Sequence, residues 1–481
     1  MIETTLGEIA RWVDGTLDDA DPATPVRAPA SHDSRQVQPG GLFVAVVGEH
    51  VDGHDFADKA VAAGAVACLT ARPVGVPAII VDDPVEALGR LARAVAQRLD
   101  DCMTIGLTGS QGKTTTKDLL AEVLRRHGTT IAPVGSFNTE IGVPLTVLRA
   151  DPNTRYLVIE MGARGKGHIA YLCDLTRPRV GLVLNVGVAH VGAFGSREGI
   201  AEAKGELVEA LPPDGLAVLN ADDPLVRDMA SRTQARVLTF GESPDANVRI
   251  DDVRLDTLGR PGFDLTYEGS TAPVQLRLLG RPQASNAAAA AAVALGLGIG
   301  LSEVAEALSD AAAASRWRME PHERADGVLI LNDAYNANPD SMRAALDTLS
   351  RVAAGRPNGR AIAVLGPMRE LGPASDEAHR EIGEYVVRRG VDLLLVVDQD
   401  AHLIQRGAEL AGIERAALVP DAAAAVEWIE PRLQPGDVVL VKASRADSLE
   451  RVARALVEGA RDTSTETAAS PGDGEGSTNA R

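Results

Sequence analysis

The sequence predicts an α/β fold divided among three domains, and three observations support this. Short apolar runs of strand length alternate along the chain with stretches whose apolar residues recur at helical spacing, which is typical of parallel sheets covered by helices. The length of 481 residues corresponds to roughly two to four domains. Hydrophobic residues make up 45% of the chain, which is enough for several packed cores.

The first two domains are expected over residues 1–100 and 101–315. The N-terminal domain is a small α/β unit, and the central domain has a parallel sheet. Expected N-terminal strands cover residues 42–47, 65–69 and 78–81, with helices at 56–63 and 84–98. Expected central strands cover residues 103–107, 156–159, 180–185 and 216–219.

The third domain is expected over residues 316–460. Its strands at 328–331, 361–365, 393–397 and 438–441 are separated by helical segments, as in a doubly wound, Rossmann-like domain. Residues 461–481 are polar, rich in Gly, Ser and Thr, and almost free of bulky apolar side chains. We expect them to form a disordered tail.

Charge and composition exclude several classes of protein. The net charge is −19, and no basic cluster is present, so a nucleic-acid partner is not expected. The acidic first residues do not resemble a signal peptide, and the longest apolar run, 287–301, is shorter than the roughly 20 residues of a membrane span. Three scattered cysteines form no disulfide or metal pattern. We expect a soluble, cytoplasmic monomer that acts on small molecules.

Lysine is scarce in this chain. Of 48 basic residues other than histidine, all but six are arginine. We interpret this as a compositional drift towards arginine wherever any cation is sufficient. The remaining lysines would then be enriched where arginine cannot replace them. They are Lys59, Lys113, Lys117, Lys166, Lys204 and Lys442.

A glycine-containing loop between a predicted strand and helix indicates phosphate binding. Its residues are Thr108, Gly109, Ser110, Gln111, Gly112, Lys113 and Thr114. Backbone N–H groups of such a loop can approach phosphate oxygens, while Lys113 reaches the terminal phosphates and Thr114 the Mg²⁺. Leu107 occupies the place of the first glycine in the general motif. The alternative is a tight glycine turn that only caps the helix.

Three further residues are candidates for a divalent cation site. Glu160 and His190 follow successive predicted strands, where ligands collect at the edge of an open sheet. Lys204 lies in an acidic helical segment. It would contribute only if its neutral amine added CO₂ to become a carbamate, a reaction that arginine cannot undergo. Otherwise these are ordinary loop residues and a solvated surface lysine.

The motifs taken together resemble the ATP-dependent Mur ligases of peptidoglycan synthesis, over about the first 455 residues. The N-terminal segments are SHDSRQVQPGGLFVAVVG and DGHDF. The central segments are TGSQGKTTT, FNTEIGVPLT, EMGARGKGHI, NVGVAHVGAFGS and AEAKGEL. The C-terminal segments are NDAYNANPDSM, GPMRELG and GDVVLVKASR.

This resemblance implies ATP and Mg²⁺ as cofactors and a set of site residues. The implied catalytic residues are Lys113, Lys204, Glu160 and His190, and the implied metal ligands are Thr114, Glu160, His190 and a carbamylated Lys204. Besides the phosphate loop, nucleotide contacts are implied for Asn286, Arg318, Asp333 and Asn336. Substrate contacts are implied for Ser31, Asp33, Ser34, Arg35, Asn138, Thr139, Asn338, Lys442 and Arg445.

The sequence departs from the family pattern at two of these places. Pro282 occupies the position of the family's usual histidine before Asn286, and Trp317 replaces the glycine before Arg318. Some implied site residues also have a purely structural alternative. Asp333 and Asn336 can be turn residues, and Lys442 can be a cation at the end of a strand.

The resemblance implies a ligase that joins D-Ala-D-Ala to UDP-N-acetylmuramoyl-tripeptide through an acyl phosphate. The three domains would bind the UDP substrate, ATP and the dipeptide, in that order. One alternative is the family member that adds the third residue of the peptide. That member usually has an Asp-Asn-Pro-Arg-like motif, where this chain has GPMRELG. The other alternative is a nucleotide-switched binding module without ligase chemistry.

Overall fold

A computed structural model describes residues 1–48, 51–187 and 194–466. The chain forms two compact units, Met1–Arg254 with Arg260–Ser315, and Leu255–Gly259 with Arg316–Arg481. The strands of the described residues are β1 (Thr4–Thr5), β2 (Thr16–Asp18), β3 (Pro25–Val26), β4 (Leu42–Val44), β5 (Ala67–Thr70), β6 (Ala78–Ile80), β7 (Met103–Thr108), β8 (Thr130–Ile131), β9 (Tyr156–Glu160), β10 (Val180–Val183), β11 (Leu216–Asn220), β12 (Arg236–Gly241), β13 (Val248–Leu255), β14 (Pro261–Tyr267), β15 (Ser270–Gln275), β16 (Glu320–Glu323), β17 (Leu329–Asn332), β18 (Ala361–Leu365), β19 (Leu393–Val397), β20 (Ala416–Val419) and β21 (Val438–Lys442).

The α-helices of the same residues alternate with these strands. They are α1 (Leu6–Trp12), α2 (Ala57–Ala62), α3 (Pro84–Ala96), α4 (Lys113–Arg125), α5 (Gly142–Val147), α6 (His168–Thr176), α7 (Arg197–Glu209), α8 (Pro224–Arg227), α9 (Pro282–Gly296), α10 (Leu301–Asp310), α11 (Pro339–Ala354), α12 (Ser375–Arg388), α13 (His402–Leu410), α14 (Ala422–Ile429) and α15 (Glu450–Glu466). No helix in the described ranges is both long and apolar enough to cross a membrane.

The first unit begins with a four-stranded sheet in the order β2-β6-β5-β4. Strands β4, β5 and β6 are parallel, and β2 is antiparallel to β6. Helix α3 starts at Pro84 because the Asp83 side chain accepts the N–H groups of Val85 and Glu86. The buried Leu88 of this helix belongs to the same core as Leu172 of α6, so residues 1–100 share a core with the segment that follows.

A nine-stranded sheet forms the centre of the first unit, in the order β15-β14-β13-β12-β11-β10-β7-β9-β8. Strand β7 lies between β10 and β9 and is parallel to both. In this register Thr108 is opposite Val183, and Leu107 is opposite Glu160. The carboxyl ends of these three strands therefore meet at one edge, where the loop after β7 begins.

The far end of this sheet differs from the purely parallel sheet that the sequence predicts. Strands β14 and β15 form an antiparallel hairpin. In β14 buried residues alternate with partly exposed ones. This pattern is typical of a sheet with one face in solvent, and it gives no continuous apolar run that would mark a buried strand.

Helix α9 packs along α4, the helix that follows the loop after β7. Residues 287–292 of α9 are all alanine, and every one is fully buried. The longest apolar run of the sequence is therefore largely a core helix.

The second unit contains a six-stranded sheet in the order β16-β17-β21-β18-β19-β20. All its pairs are parallel except β16 with β17. The last strand in sequence, β21, inserts between β17 and β18, as in doubly wound folds. Helix α15 continues to Glu466, so it includes the first six residues of the predicted tail. The rest of the predicted tail lies outside the described residues.

Helices α12 and α13 cross at two glycines. A Cβ atom at Gly383 would overlap the carbonyl oxygen of Ile404, and one at Gly407 would overlap the carbonyl oxygen of Arg380. Only the absence of a side chain allows the two backbones to approach this closely.

We predict that Gly383→Ala lowers the free energy of unfolding of the second unit by about 1–3 kcal/mol, because the added methyl group forces the helices apart. Urea unfolding followed by circular dichroism measures the change. The exposed neighbour Glu384 provides the control, and Glu384→Ala should leave the unfolding midpoint unchanged. Equal midpoints for Gly383→Ala and the control would contradict the packing argument.

Candidate active site

The predicted phosphate loop lies where β7 ends and α4 begins. Gly112 is the last residue before the helix and has φ +77°, a left-handed conformation that favours glycine. A Cβ atom at Gly112 would also overlap Oδ1 of Asn286 on α9. The loop therefore requires a glycine for two independent reasons, and Asn286 lies directly against it.

Asn185, a residue that the sequence analysis did not assign, lies just after β10 and holds the phosphate loop. Its Oδ1 accepts the N–H of Gln111 at 2.9 Å, and its Nδ2 donates to the Gln111 carbonyl at 3.2 Å. The N–H of Ser110 donates to the Asn185 carbonyl at 3.1 Å. The backbone of the loop is thus fixed on one side, and its helical end lies at the N-terminus of α4, which favours anions.

Two polar side chains of the loop donate hydrogen bonds to backbone carbonyls. Lys113 Nζ donates to the Gly109 carbonyl at 2.6 Å. Thr108 is fully buried, and its hydroxyl donates to the Met161 carbonyl at 2.9 Å. These contacts tie the loop to itself and to the residue after β9.

Glu160, at the end of β9, is fully buried beside the loop. Its Oε1 accepts from Ser136 Oγ at 2.7 Å and from Asn138 Nδ2 at 2.8 Å, and Thr114 Oγ1 lies 3.4 Å away. Its Oε2 is buried with no hydrogen-bond partner among the described residues. Carboxylate and hydroxyl oxygens are the kind of ligand that a hard divalent cation prefers, and Glu160 with Thr114 offers two of them.

Thr139 is placed differently from Asn138, although the two are adjacent. Its backbone carbonyl accepts the N–H of Val143, and its hydroxyl accepts the N–H of Gly142 at 3.4 Å. Thr139 therefore supports the start of α5. Of the two predicted substrate residues, only Asn138 contacts Glu160.

Lys204 lies in the interior of α7 and is only 6% exposed. Burial lowers the pKa of its ammonium well below the usual value, and the nearby Lys113 cation lowers it further. The alternative of a solvated surface lysine is therefore wrong. His190, the remaining predicted ligand, lies outside the described residues.

The described residues hold no cluster of three or more His, Cys, Asp and Glu side chains that could bind a metal ion. A cation at Glu160 and Thr114 would therefore need further ligands, such as phosphate oxygens, a carbamylated Lys204 or His190, which lies outside the described residues.

The predicted substrate loop 31–35 lies in the N-terminal part of the first unit. Arg35 forms a two-pronged ion pair with Asp33 at 2.9 and 2.8 Å, which lowers the pKa of Asp33 to about 2. Ser31 Oγ donates to the Asp33 carbonyl, and Ser34 is half-buried. The side chains of this loop mostly stabilise the loop itself.

One side chain connects this loop to the residues around Glu160. The ring of His32 contacts the ring of Phe137 edge-on, with centroids 6.1 Å apart. Phe137 lies between Ser136 and Asn138, the two residues that donate to Glu160. The structure therefore brings the loop 31–35 next to the candidate cation site.

The second unit assembles its own polar cluster, at the carboxyl ends of β17 and β21. Lys442 is 2% exposed, and its Nζ donates to Asp333 Oδ2 at 2.6 Å and to the Asn336 carbonyl at 2.8 Å. Burial lowers the pKa of Lys442, and the Asp333 carboxylate opposes this shift. The predicted residues Asp333, Asn336 and Lys442 thus form one interacting group.

Two stacked pairs lie in the same unit. The Arg318 guanidinium lies 4.0 Å from the ring centroid of Tyr335, and that of Arg445 lies 4.5 Å from the ring centroid of Trp317. Trp317, which replaces the family's glycine, has φ +60°, so its backbone keeps a conformation that suits glycine. Asn338 caps α11 by accepting the N–H of Ser341 at 2.9 Å, which is a structural role.

Comparison with known proteins shows which family has this sequence and fold. Three family models match the chain: "Mur ligase family, catalytic domain" over residues 30–96, "Mur ligase middle domain" over 107–294 and "Mur ligase, glutamate ligase domain" over 317–445. The fold and the phosphate loop with its buried carboxylate define a nucleotide-dependent ligase. The chain belongs to the Mur ligase family.

The individual relatives are named as one particular ligase of this family. The chain is 46% identical to the UDP-N-acetylmuramoyl-tripeptide–D-alanyl-D-alanine ligase of Mycobacterium tuberculosis, over 95% of this chain and 98% of that protein. The crystal structure of MurF from Acinetobacter baumannii has a TM-score of 0.83 and 30% identity, and covers 95% of this chain and 99% of that one. The MurF ligase of Thermotoga maritima in complex with ADP has a TM-score of 0.77 and 32% identity, and covers 91% and 99%.

These findings confirm the predicted resemblance and the α/β fold class with three domains. They also confirm that the chain is an enzyme and a ligase.

We predict that Gly112→Ala weakens ADP binding at least about tenfold, because the methyl group must overlap Asn286 and the residue must adopt a left-handed conformation. Isothermal titration with ADP measures the loss. Gly75 has a similar φ of +74° but no atom within 4 Å of its Cβ position, so Gly75→Ala introduces the strain without the overlap. If Gly112→Ala binds ADP as tightly as Gly75→Ala, the loop does not bind the nucleotide.

Proposed function

We propose that this ligase joins the amino group of D-Ala-D-Ala to the terminal carboxylate of UDP-N-acetylmuramoyl-tripeptide and consumes ATP. The name and 46% identity of the mycobacterial relative support the substrates, and the ADP complex of the Thermotoga maritima enzyme supports the nucleotide. The observation that carries the proposal is structural. The phosphate loop and the half-satisfied carboxylate of Glu160 lie at one edge of the sheet, as phosphoryl transfer to a second anion requires.

The reaction must convert a carboxylate, which resists attack, into an activated acyl group. A carboxylate oxygen of the tripeptide attacks the γ-phosphorus of ATP, ADP leaves, and an acyl phosphate forms. The amine of D-Ala-D-Ala then attacks the acyl carbon, and the tetrahedral intermediate expels phosphate and loses a proton. Two anions approach each other in the first step, so Lys113 and other positive charge must offset their repulsion.

We propose Mg²⁺ as the accompanying cation, held by Thr114 and Glu160, with His190 and a carbamate of Lys204 as further ligands. The unpartnered, buried Oε2 of Glu160 supports this assignment. When bound, the cation would neutralise the phosphate oxygens during transfer. The protein's own contribution is to hold Glu160 through Ser136 and Asn138, and to fix the phosphate loop through Asn185.

Lys204 is suited to carbamylation because its amine is buried and its pKa is lowered. A larger fraction of the side chain is then neutral near pH 7. The neutral nitrogen adds to CO₂, an N–C bond forms, and one proton is released, which leaves an anionic carboxylate. As the pH falls, the amine becomes protonated and the carbamate is lost.

The remaining assignments follow the order of the domains. We propose that residues 1–100 bind the UDP substrate through Ser31, Asp33, Ser34 and Arg35, and that residues 101–315 bind ATP through the phosphate loop and Asn286. Residues 316–460 would bind the dipeptide, with Lys442 and Arg445 near it and Arg318, Asp333 and Asn336 towards the nucleotide. We further propose a monomer that acts in the cytoplasm, where ATP and UDP-linked precursors occur.

We predict that phosphate release from ATP depends on both UDP-N-acetylmuramoyl-tripeptide and D-Ala-D-Ala. A coupled phosphate assay should show at most background release when either substrate is omitted, because the acyl phosphate forms only on the tripeptide and turns over only with the amine. The rival ligase is tested in the same assay with UDP-N-acetylmuramoyl-dipeptide and a diamino acid. Efficient turnover with that pair, or hydrolysis without any peptide, would overturn the proposal.

We predict that Lys204→Ala loses most of the ligase activity and that high concentrations of short carboxylic acids restore part of it, because the acid supplies the missing carboxylate. The phosphate assay with and without added acetate or propionate measures the rescue. Lys59→Ala changes an exposed lysine that lies over the ring of Phe56, and should be active without acid and insensitive to it. A Lys204→Ala variant with wild-type activity in the absence of acid would exclude the carbamate.

A further inference from the structure

Lys117 is a buried lysine that no step of the proposed reaction uses. It lies on α4, one turn after Lys113, and is only 1% exposed. Its Nζ donates to the carbonyl oxygens of Pro133 at 2.9 Å and Gly135 at 3.0 Å, and lies 2.7 Å from Asp118 Oδ1. Two backbone carbonyls thus accept from the ammonium, and the Asp118 carboxylate forms an ion pair with it.

Two of these contacts fix the backbone of residues 133–138. The carbonyls that Lys117 binds belong to Pro133 and Gly135, and Gly135 directly precedes Ser136. Ser136 and Asn138 then donate to Oε1 of Glu160 at 2.7 and 2.8 Å. The ammonium of Lys117 and the carboxylate of Glu160 therefore bond to the same short backbone segment, Lys117 at residues 133 and 135 and Glu160 at residues 136 and 138.

The chemistry of this position explains why a lysine occurs here in a chain so rich in arginine. The ammonium contacts oxygens from three different residues within a closed site. A guanidinium is larger and planar, and its donors lie in one plane, so it cannot reproduce this arrangement. Lys117 thus fits the interpretation that the remaining lysines mark places where arginine fails.

We propose that Lys117 is a positioning residue for the cation site: it fixes segment 133–138, and this segment orients Glu160 so that Oε2 is presented to the divalent cation. The proposal rests on the proposed function only in that a divalent cation accompanies the nucleotide at Glu160. It does not depend on which peptide substrates the enzyme joins. The alternative is that Lys117 only stabilises α4 and contributes nothing to metal binding.

Direct metal binding separates these two roles. Mn²⁺ is titrated into the full chain with saturating ADP, and free Mn²⁺ is measured by electron paramagnetic resonance. We expect Lys117→Met to weaken Mn²⁺ binding roughly 10- to 100-fold, as is typical for groups that orient a metal ligand. Lys117→Arg should not restore binding. Lys59→Met is the matched control, since Lys59 is exposed and lies over Phe56, and it should bind Mn²⁺ like the wild type.

A second variant keeps the test decisive if Lys117→Met is unstable. Ser136→Ala removes a donor to Glu160 without changing the contacts of Lys117, and it should weaken Mn²⁺ binding in the same direction. In the double variant the two losses should be smaller than additive, because both changes act through the same carboxylate. Thermal unfolding of each variant is recorded alongside the titrations.

Three results would overturn the proposal. If Lys117→Met is destabilised but binds Mn²⁺ as tightly as the wild type, or if the two losses add fully, Lys117 does not act through Glu160. If the wild type binds no Mn²⁺ in the presence of ADP, the cation site itself is wrong, and the proposed function loses its metal together with this inference. Since no peptide substrate is present, an error about those substrates leaves the titration unaffected.

Discussion

The buried carboxylate of Glu160 is the constraint on which the first unit depends. A charge removed from water costs several kcal/mol unless hydrogen bonds and an opposite charge compensate for it. Ser136 and Asn138 supply hydrogen bonds to one oxygen, while the other has no partner among the described residues. Lys113 and Lys204 are close enough that the first lowers the pKa of the second. The second oxygen of Glu160 would gain a partner when a cation enters the site.

The second unit handles buried charge in the opposite way. Lys442 and Asp333 are both largely buried, and they neutralise each other directly at 2.6 Å. The Asn336 carbonyl and the N–H of Met319 complete their hydrogen bonds. This cluster needs no external ion, so it can hold the loops after β17 and β21 in a fixed shape. In the first unit, one oxygen of Glu160 has no partner among the described residues. In the second unit, Lys442 and Asp333 pair directly with each other, although both sites lie at the carboxyl ends of parallel strands.

Much of this arrangement could be predicted from sequence, and the failures have a physical pattern. Strands such as β18 and β19 are buried throughout, so they appear as continuous apolar runs. The hairpin β14–β15 was missed because only alternate residues are buried. Asn185 and Ser136 were missed because their partners Gln111 and Glu160 are distant in sequence, and ordinary polar residues carry no motif of their own. Burial of Lys204 could not be distinguished from exposure, since its helix also carries several acidic residues.

The alanine helix α9 has a consequence for conformational entropy. Alanine has no rotatable side chain, so burying residues 287–292 against their neighbours removes no rotamer freedom, whereas long side chains lose up to about 2 kcal/mol each in −TΔS. The short side chains also leave no alternative rotamers through which the contact with α4 could rearrange. Helix α4 begins at Lys113, directly after the phosphate loop. The helix that follows the phosphate loop therefore packs against a helix whose buried alanines have no side-chain rotamers to lose, with or without a ligand.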